Sequence, residues 1–167
     1  MESLPLIRVL GKSDVKDYRE LRLESLYINP ESFGSTYQEE STKNEQEFIT
    51  RITGSLILGA YLNNELIGMI GFQQNSNYKT LHKGVIWGFY VKPGYRGLKV
   101  GEKLMDNLII LLKKSNVKKL SLAVVEENVS AIHLYEKMGF KVYGKEPISL
   151  KINEEKYVNN ILMCLFI

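Results

Sequence analysis

The stretch YVKPGYRGLKVGEKLM, Tyr90 to Met105, decides how this chain is read. It opens on strand-forming residues, breaks at Pro93-Gly94, and passes Arg96, Gly97, Lys99 and Gly101 before a helix begins. A helix N-terminus carries free N–H groups and a partial positive charge. Glycines ahead of it let the chain close around an anion, and an arginine adds a fork of donors that fits phosphate oxygens. The stretch therefore reads as a phosphate cradle, with Gly101 letting a ligand lie against the first turn and Lys99 offering a second charge. It is not a Walker A loop, because no Gly-Lys-Ser/Thr follows, and the glycine spacing is wrong for a dinucleotide fingerprint. Taken alone, it is equally a strand-to-helix turn with an exposed arginine.

Downstream, Val100, Leu104, Leu108, Leu111 and Leu112 recur at helical spacing, and Met105 and Ile109 widen the stripe, so a largely buried helix is expected over 100–112. Lys113 and Lys114 suit its C-terminal end, and Asn116 can supply a left-handed stop. KLSLAVV (119–125) is a strand. Asn128 or Ser130 then caps a helix with Ala131, Leu134, Tyr135 and Met138 on one side, ended by Gly139. FKVYG (140–144) begins another strand and KYVNNILMCLFI (156–167) supplies the last. A strand–helix–strand order implies a right-handed crossover and a parallel pair.

Upstream, LIRVL (6–10) is a short strand. Ser13 or Asp14 caps a helix carrying Tyr18, Leu21, Leu23, Leu26 and Tyr27, which Asn29-Pro30 stops. Two short helices follow, the second with Phe48, Ile49 and Ile52. Strands at 55–62, 65–75 and 81–91 form a meander whose first turn, Asn63-Asn64, has tight-turn chemistry. The fold class is mixed α/β, with an antiparallel front and a β-α-β-α-β back, read as one domain over 1–167.

Composition agrees with a soluble protein. The 167 residues are 44% hydrophobic and 25% charged, with a formal net charge of +3 that does not by itself argue for nucleic acid. The single cysteine, Cys164, allows no internal disulfide and reads as a small core residue in a reducing compartment. No signal-like start and no membrane-length apolar run is present, so a cytoplasmic protein is expected.

Arg96 and Gly101, followed by a strand and then ENVSAIHLYEKMGFKVYG, resemble the GCN5-related N-acetyltransferase (GNAT) family over Gly84–Gly144. The pyrophosphate loop of that family reads Arg/Gln-x-x-Gly-x-Gly/Ala. Arg96 and Gly101 match its ends, while Lys99 stands where glycine is usual. Asn128, Ala131, Tyr135, Gly139 and Phe140 match its second element, and residues 1–80 follow the family's element order with less specific similarity.

The resemblance implies an acyl-CoA N-acyltransferase fold: a central mixed, twisted sheet of about six to seven strands flanked by about four helices. It implies acetyl-CoA as cosubstrate, no metal, and a small or peptidic amine acceptor. Pyrophosphate would sit on the N–H groups of Arg96, Gly97, Leu98, Lys99, Val100, Gly101 and Glu102. The pantetheine arm would pair like an added strand with Phe89, Tyr90 and Val91, which needs a splayed strand edge. Asn128 would bond a pantetheine amide, and Tyr135 would meet the departing thiolate. A backbone N–H near Tyr90 or Val91 would stabilise the carbonyl oxygen. For the base, His82, Glu24, Glu31 and Glu126 are open, through water if need be, as is a deprotonated fraction of the amine itself.

Other readings stand beside these. Tyr135 is also a core aromatic on an apolar face, and Asn128 is an N-cap in any case. His133 reads as exposed, and Trp87, Phe89 and Tyr90 as β-formers of which only the backbone is implicated. KKSNVKK (113–119) has no interleaved aromatics and reads as a solvated helix end, so no nucleic-acid or membrane partner is expected. A homodimer is left open. The alternative function is a non-catalytic coenzyme A-binding or interaction domain on the same fold. The segments 1–52 and 145–157 should set the acceptor, and Glu24, Glu31, Glu39 and Glu40 would suit a cationic one.

Overall fold

Asn63 and Asn64 both adopt left-handed backbone conformations, φ 49° and 65°, as a two-residue hairpin turn requires. Around that turn the computed structural model describes residues 3–167. The chain runs β1 (Leu6–Val9), α1 (Val15–Ile28), α2 (Tyr37–Ser41), α3 (Glu45–Gly54), β2 (Leu56–Leu62), β3 (Glu65–Gln74) and β4 (Lys83–Val91). It continues with α4 (Val100–Lys113), β5 (Lys119–Val125), α5 (Val129–Lys137), β6 (Lys141–Lys151) and β7 (Tyr157–Phe166). Thr36 with Glu39, and Asn44 with Glu47, form capping boxes that start α2 and α3, so these short helices begin where their sequences dictate.

All seven strands join one sheet in the order β1-β2-β3-β4-β5-β7-β6. The first four are antiparallel neighbours, and β4–β5 is the parallel pair that the α4 crossover demands. The second crossover behaves differently from expectation. β6 lies parallel in direction to β5 but does not pair with it, because β7 inserts between them, antiparallel to both. β6 is also longer than the FKVYG start suggested, and it continues past a register shift between Glu146 and Leu150.

Helices cover both faces, so β2 and β3 are buried almost continuously. One core takes Leu104, Met105 and Leu108 of α4 against Leu58, Ile70 and Leu120. The other takes Tyr18 and Leu21 of α1 and Phe48 and Ile52 of α3 against Ile57, Leu66 and Met69. Three local expectations fail. Leu111 is 38% exposed on α4. Tyr27 faces outward on α1, whose buried side instead takes Arg22 and Ser25. Asn116 is not left-handed; α4 is closed by Ser115, whose hydroxyl donates to Leu112 O at 2.6 Å and accepts from Val117 N.

Candidate active site

β4 and β5 pair only over Lys83–Val85 and Lys119–Ser121. Beyond that point the strands splay, although β4 stays paired with β3 to Val91 and β5 with β7 to Val125. The cause lies in β4. Gly88 has φ +59°, a left-handed conformation open to glycine, and the β3–β4 register shifts there: Gly71 faces Trp87 while Met69 faces Tyr90. This bulge adds a residue and bends the strand away from β5. Lys92 N donates to Ile67 O at 2.9 Å, so strand alternation turns the peptide groups of Tyr90 toward β3. Those of Phe89 and Val91 face the open edge.

A cavity of about 670 Å³ fills the gap. Phe89, Tyr90 and Val91 of β4, Leu122 and Val124 of β5, and Asn128, Ala131 and Tyr135 around α5 line it. Arg96, Gly97, Lys99, Val100, Gly101 and Glu102 close one end. Of the residues from Phe89 to Val91, Arg96 to Glu102, Asn128 and Tyr135 expected to touch the cosubstrate, Leu98 alone stands outside the lining; its side chain is 57% exposed.

The turn into α4 shows why each of its residues matters. Lys99, its N-cap, is left-handed at φ 59°, which accounts for glycine being usual at this position. Gly101 approaches its neighbours closely: a Cβ there would stand 3.2 Å from the Phe89 ring and 3.5 Å from Leu134. Its glycine thus serves internal packing as well as the cavity wall. The first α4 bond runs from Lys103 N to Lys99 O, at 3.0 Å, so the N–H groups of Val100, Gly101 and Glu102 have no helical acceptor. Glu102 is paired with Lys137 at 2.7 Å, and that contact holds its carboxyl pKa below the usual range.

Arg96 departs from expectation. Its guanidinium folds back, with Nε donating to Val91 O at 2.9 Å and Nη2 to Asn29 Oδ1 at 2.7 Å, 5.5 Å from the Tyr90 ring centre. It ties the end of β4 to the end of α1 while still lining the cavity. Asn128 caps α5 through Oδ1, which accepts from Ala131 N at 3.3 Å. The side chain thereby fixes its orientation and leaves its amide nitrogen without an acceptor among the described residues.

Tyr135 packs between Phe89 and Phe140, ring centres 6.1 and 5.8 Å away. Its hydroxyl makes no hydrogen bond among the described residues, and burial pushes its pKa well above that of a free phenol. The Tyr90 pKa is likewise raised, by burial and then by Glu24, whose carboxylate accepts from its hydroxyl at 2.9 Å.

None of the four sequence candidates for a base lines the cavity. His82 is at the far end of β4, where its carbonyl accepts from Lys118 N and Lys119 N. Glu31 is exposed and 3.6 Å from Lys156. Glu126 is held by Lys145 and Asn159, and Glu24 reaches the cavity only through Tyr90. Cys164 is half-buried in β7 and His133 is exposed.

Of a second group of charged residues across β4, sequence reading named only Glu40. Arg22 of α1 is 5% exposed beside Phe33, Trp87 and Gly88. Near it, Glu40 is forked by Arg51 at 2.8 and 3.0 Å and bonded by Lys43 at 3.2 Å. Burial opposes the Glu40 charge, but Arg51 and Lys43 outweigh it and keep its pKa lowered. The available signal was an arginine four residues after Tyr18, on the apolar stripe of α1.

The described residues contain no cluster of three or more metal-ligating side chains and no helix long and apolar enough to cross a membrane. The sequence profile of the acetyltransferase (GNAT) family matches residues 15–140. The spermine/spermidine N(1)-acetyltransferase of Bacillus subtilis (strain 168) is 30% identical over 103 residues, 59% of this chain and 65% of that protein. The chain thus spans just under two-thirds of that relative's length. The spermidine N(1)-acetyltransferase of Thermoplasma acidophilum is 30% identical over 121 residues, 72% of this chain and 71% of that protein. A GNAT-family acetyltransferase structure from Streptococcus pneumoniae superposes with a TM-score of 0.86 at 21% identity, covering 98% of this chain and 99% of that one. A structure from Salmonella typhimurium with its cofactor acetyl-CoA gives 0.82 at 19% identity, covering 98% and 94%. At those identities the likeness is one of fold. With the profile matched from α1 through the end of α5, this chain belongs to the acetyltransferase (GNAT) family.

Proposed function

We propose that this chain, as one domain over 1–167, transfers an acetyl group from acetyl-CoA to a primary amine by direct attack. The observation that carries the reading is the cavity between the splayed halves of β4 and β5. It joins three things the chemistry needs. The N–H groups of Val100, Gly101 and Glu102 would hold the pyrophosphate, and the open edge of Phe89 and Val91 would take the pantetheine amides, with the Asn128 amide nitrogen beside them. The Tyr135 hydroxyl completes the set.

Acetyl-CoA supplies an acetyl thioester when bound. The Val91 N–H, turned to the open edge, is the donor best aimed at the carbonyl oxygen as charge builds there. The Tyr135 hydroxyl donates to the sulfur as the C–S bond breaks and the new C–N bond forms. A phenol of raised pKa is a poor complete acid toward a thiol of about 8.5, so it steadies the thiolate as a hydrogen-bond donor. The amine proton leaves to water, since the only carboxylate in the lining, Glu102, is paired with Lys137.

The test is acetyl-CoA binding by calorimetry followed by thiol release with a panel of primary amines. Turnover with at least one amine supports the reading. Tight binding without turnover across the panel would favour a non-catalytic coenzyme A-binding domain.

A further inference from the structure

Resting on that reading, we infer that the amine acceptor carries a carboxylate and that Arg22 binds it. Four buried side-chain polar atoms lack a hydrogen-bond partner among the described residues, and three of them lie on one face of α1: Tyr18 Oη, Arg22 Nε and Arg22 Nη1. All three can donate. A buried guanidinium without an acceptor is costly, and arginine cannot relieve that by losing its proton. The rings of Phe33 and Trp87, 5.3 and 6.0 Å from its Cζ, shield the charge without accepting a hydrogen bond from it.

Arg22 also stands in the right place. It lines a second cavity of about 470 Å³ with Glu40, Lys43, Arg51 and Trp87. Trp87 also lines the larger cavity, as do Phe33 and Gly88. A Cβ on Gly88 would lie 3.8 Å from Arg22 Nη1, so the guanidinium sits directly across the β4 bulge. An acceptor held there would present its amine to the bulge from the side opposite the open edge.

The charges of this second cavity are Arg22, Lys43 and Arg51 against Glu40, three positive and one negative, a net +2. Glu40 is already bonded to Arg51 and Lys43; its charge acts on Arg22, but it accepts no hydrogen bond from Arg22 Nε or Nη1. Such a site attracts a carboxylate, to which a guanidinium donates strong, charge-assisted hydrogen bonds. It repels the polycations on which the named relatives act. The acidic residues Glu24 and Glu31 do not reverse this, since each already faces a lysine.

The wild-type protein provides the first test. Thiol release would be followed with amino acids and dipeptides, each paired with its C-terminal amide, and with spermidine and spermine. The acid should exceed its amide at least tenfold in kcat/KM, with the polyamines below both. Arg22→Gln should erase that ratio through KM while leaving the acetyl-CoA Kd unchanged, and Arg22→Lys should retain part of it. Amides or polyamines acetylated as well as the acids would overturn the inference. So would inertness of every carboxylate-bearing amine in a protein that binds acetyl-CoA. Absence of acetyl-CoA binding would instead refute the proposed function itself.

Discussion

The two sides of β4 are built on different principles. The edge facing β5 is made of backbone: a bulge at Gly88, free N–H groups at the start of α4, and a strand end left unpaired. The side under α1 is made of long side chains from separated elements, Arg22, Glu40 and Arg51. A site made of backbone is set by a few consecutive residues, because turn geometry and helix ends are local. One made of side chains exists only after packing, and its specificity changes without disturbing the strand beneath it.

The largest expected effect tests the edge through a side chain. Tyr135→Phe keeps the ring between Phe89 and Phe140 and removes only the hydroxyl. Saturating kcat should fall about 100-fold, the low end for general acid assistance, with acetyl-CoA Kd and Tm nearly unchanged. A rate within about twofold of wild type would return Tyr135 to a packing role. Because burial raises its pKa, the hydroxyl stays protonated, and its ionisation should produce no loss in the kcat–pH profile up to about pH 10.

Arg96→Ala asks whether the edge depends on its one side-chain tie. Losing charge-assisted bonds to Val91 O and Asn29 should cost about 1.5–3 kcal/mol, divided between Tm and roughly tenfold weaker acetyl-CoA binding. A lower Tm with unchanged Kd would make Arg96 a purely structural strap.

Gly88→Ala sharpens the boundary between the two sides. A left-handed alanine costs about 1–2 kcal/mol, whereas the contact of its Cβ with Arg22 is ordinary. Thermal melting should fall by roughly 2–8 °C, and an unchanged Tm would deny the bulge its conformational requirement.

The smallest effect is at Lys99→Gly. Relief of the left-handed strain is partly offset by glycine's entropy, leaving a gain under about 1 kcal/mol. Acetyl-CoA should bind as well or slightly better in an equilibrium titration. Clearly weaker binding, with a flatter salt dependence, would instead assign the ammonium to a phosphate.

The elements and the loop are legible in the linear chain. The hairpin at Asn63-Asn64, the capped short helices, the α4 crossover and the turn from Arg96 to Gly101 each follow from residues within a few positions of one another. The remainder emerges on packing. β7 enters between β5 and β6 because strand pairing is chosen among distant segments. Arg96 turns back onto Asn29, 67 residues away, a neutral partner that its motif did not suggest. His82 falls at the wrong end of β4, and Arg22 is buried without an acceptor where Phe33, Trp87 and Gly88 converge. Local propensity acts over one turn of helix or one hairpin, whereas the environment of a buried charge is set by every element packed around it.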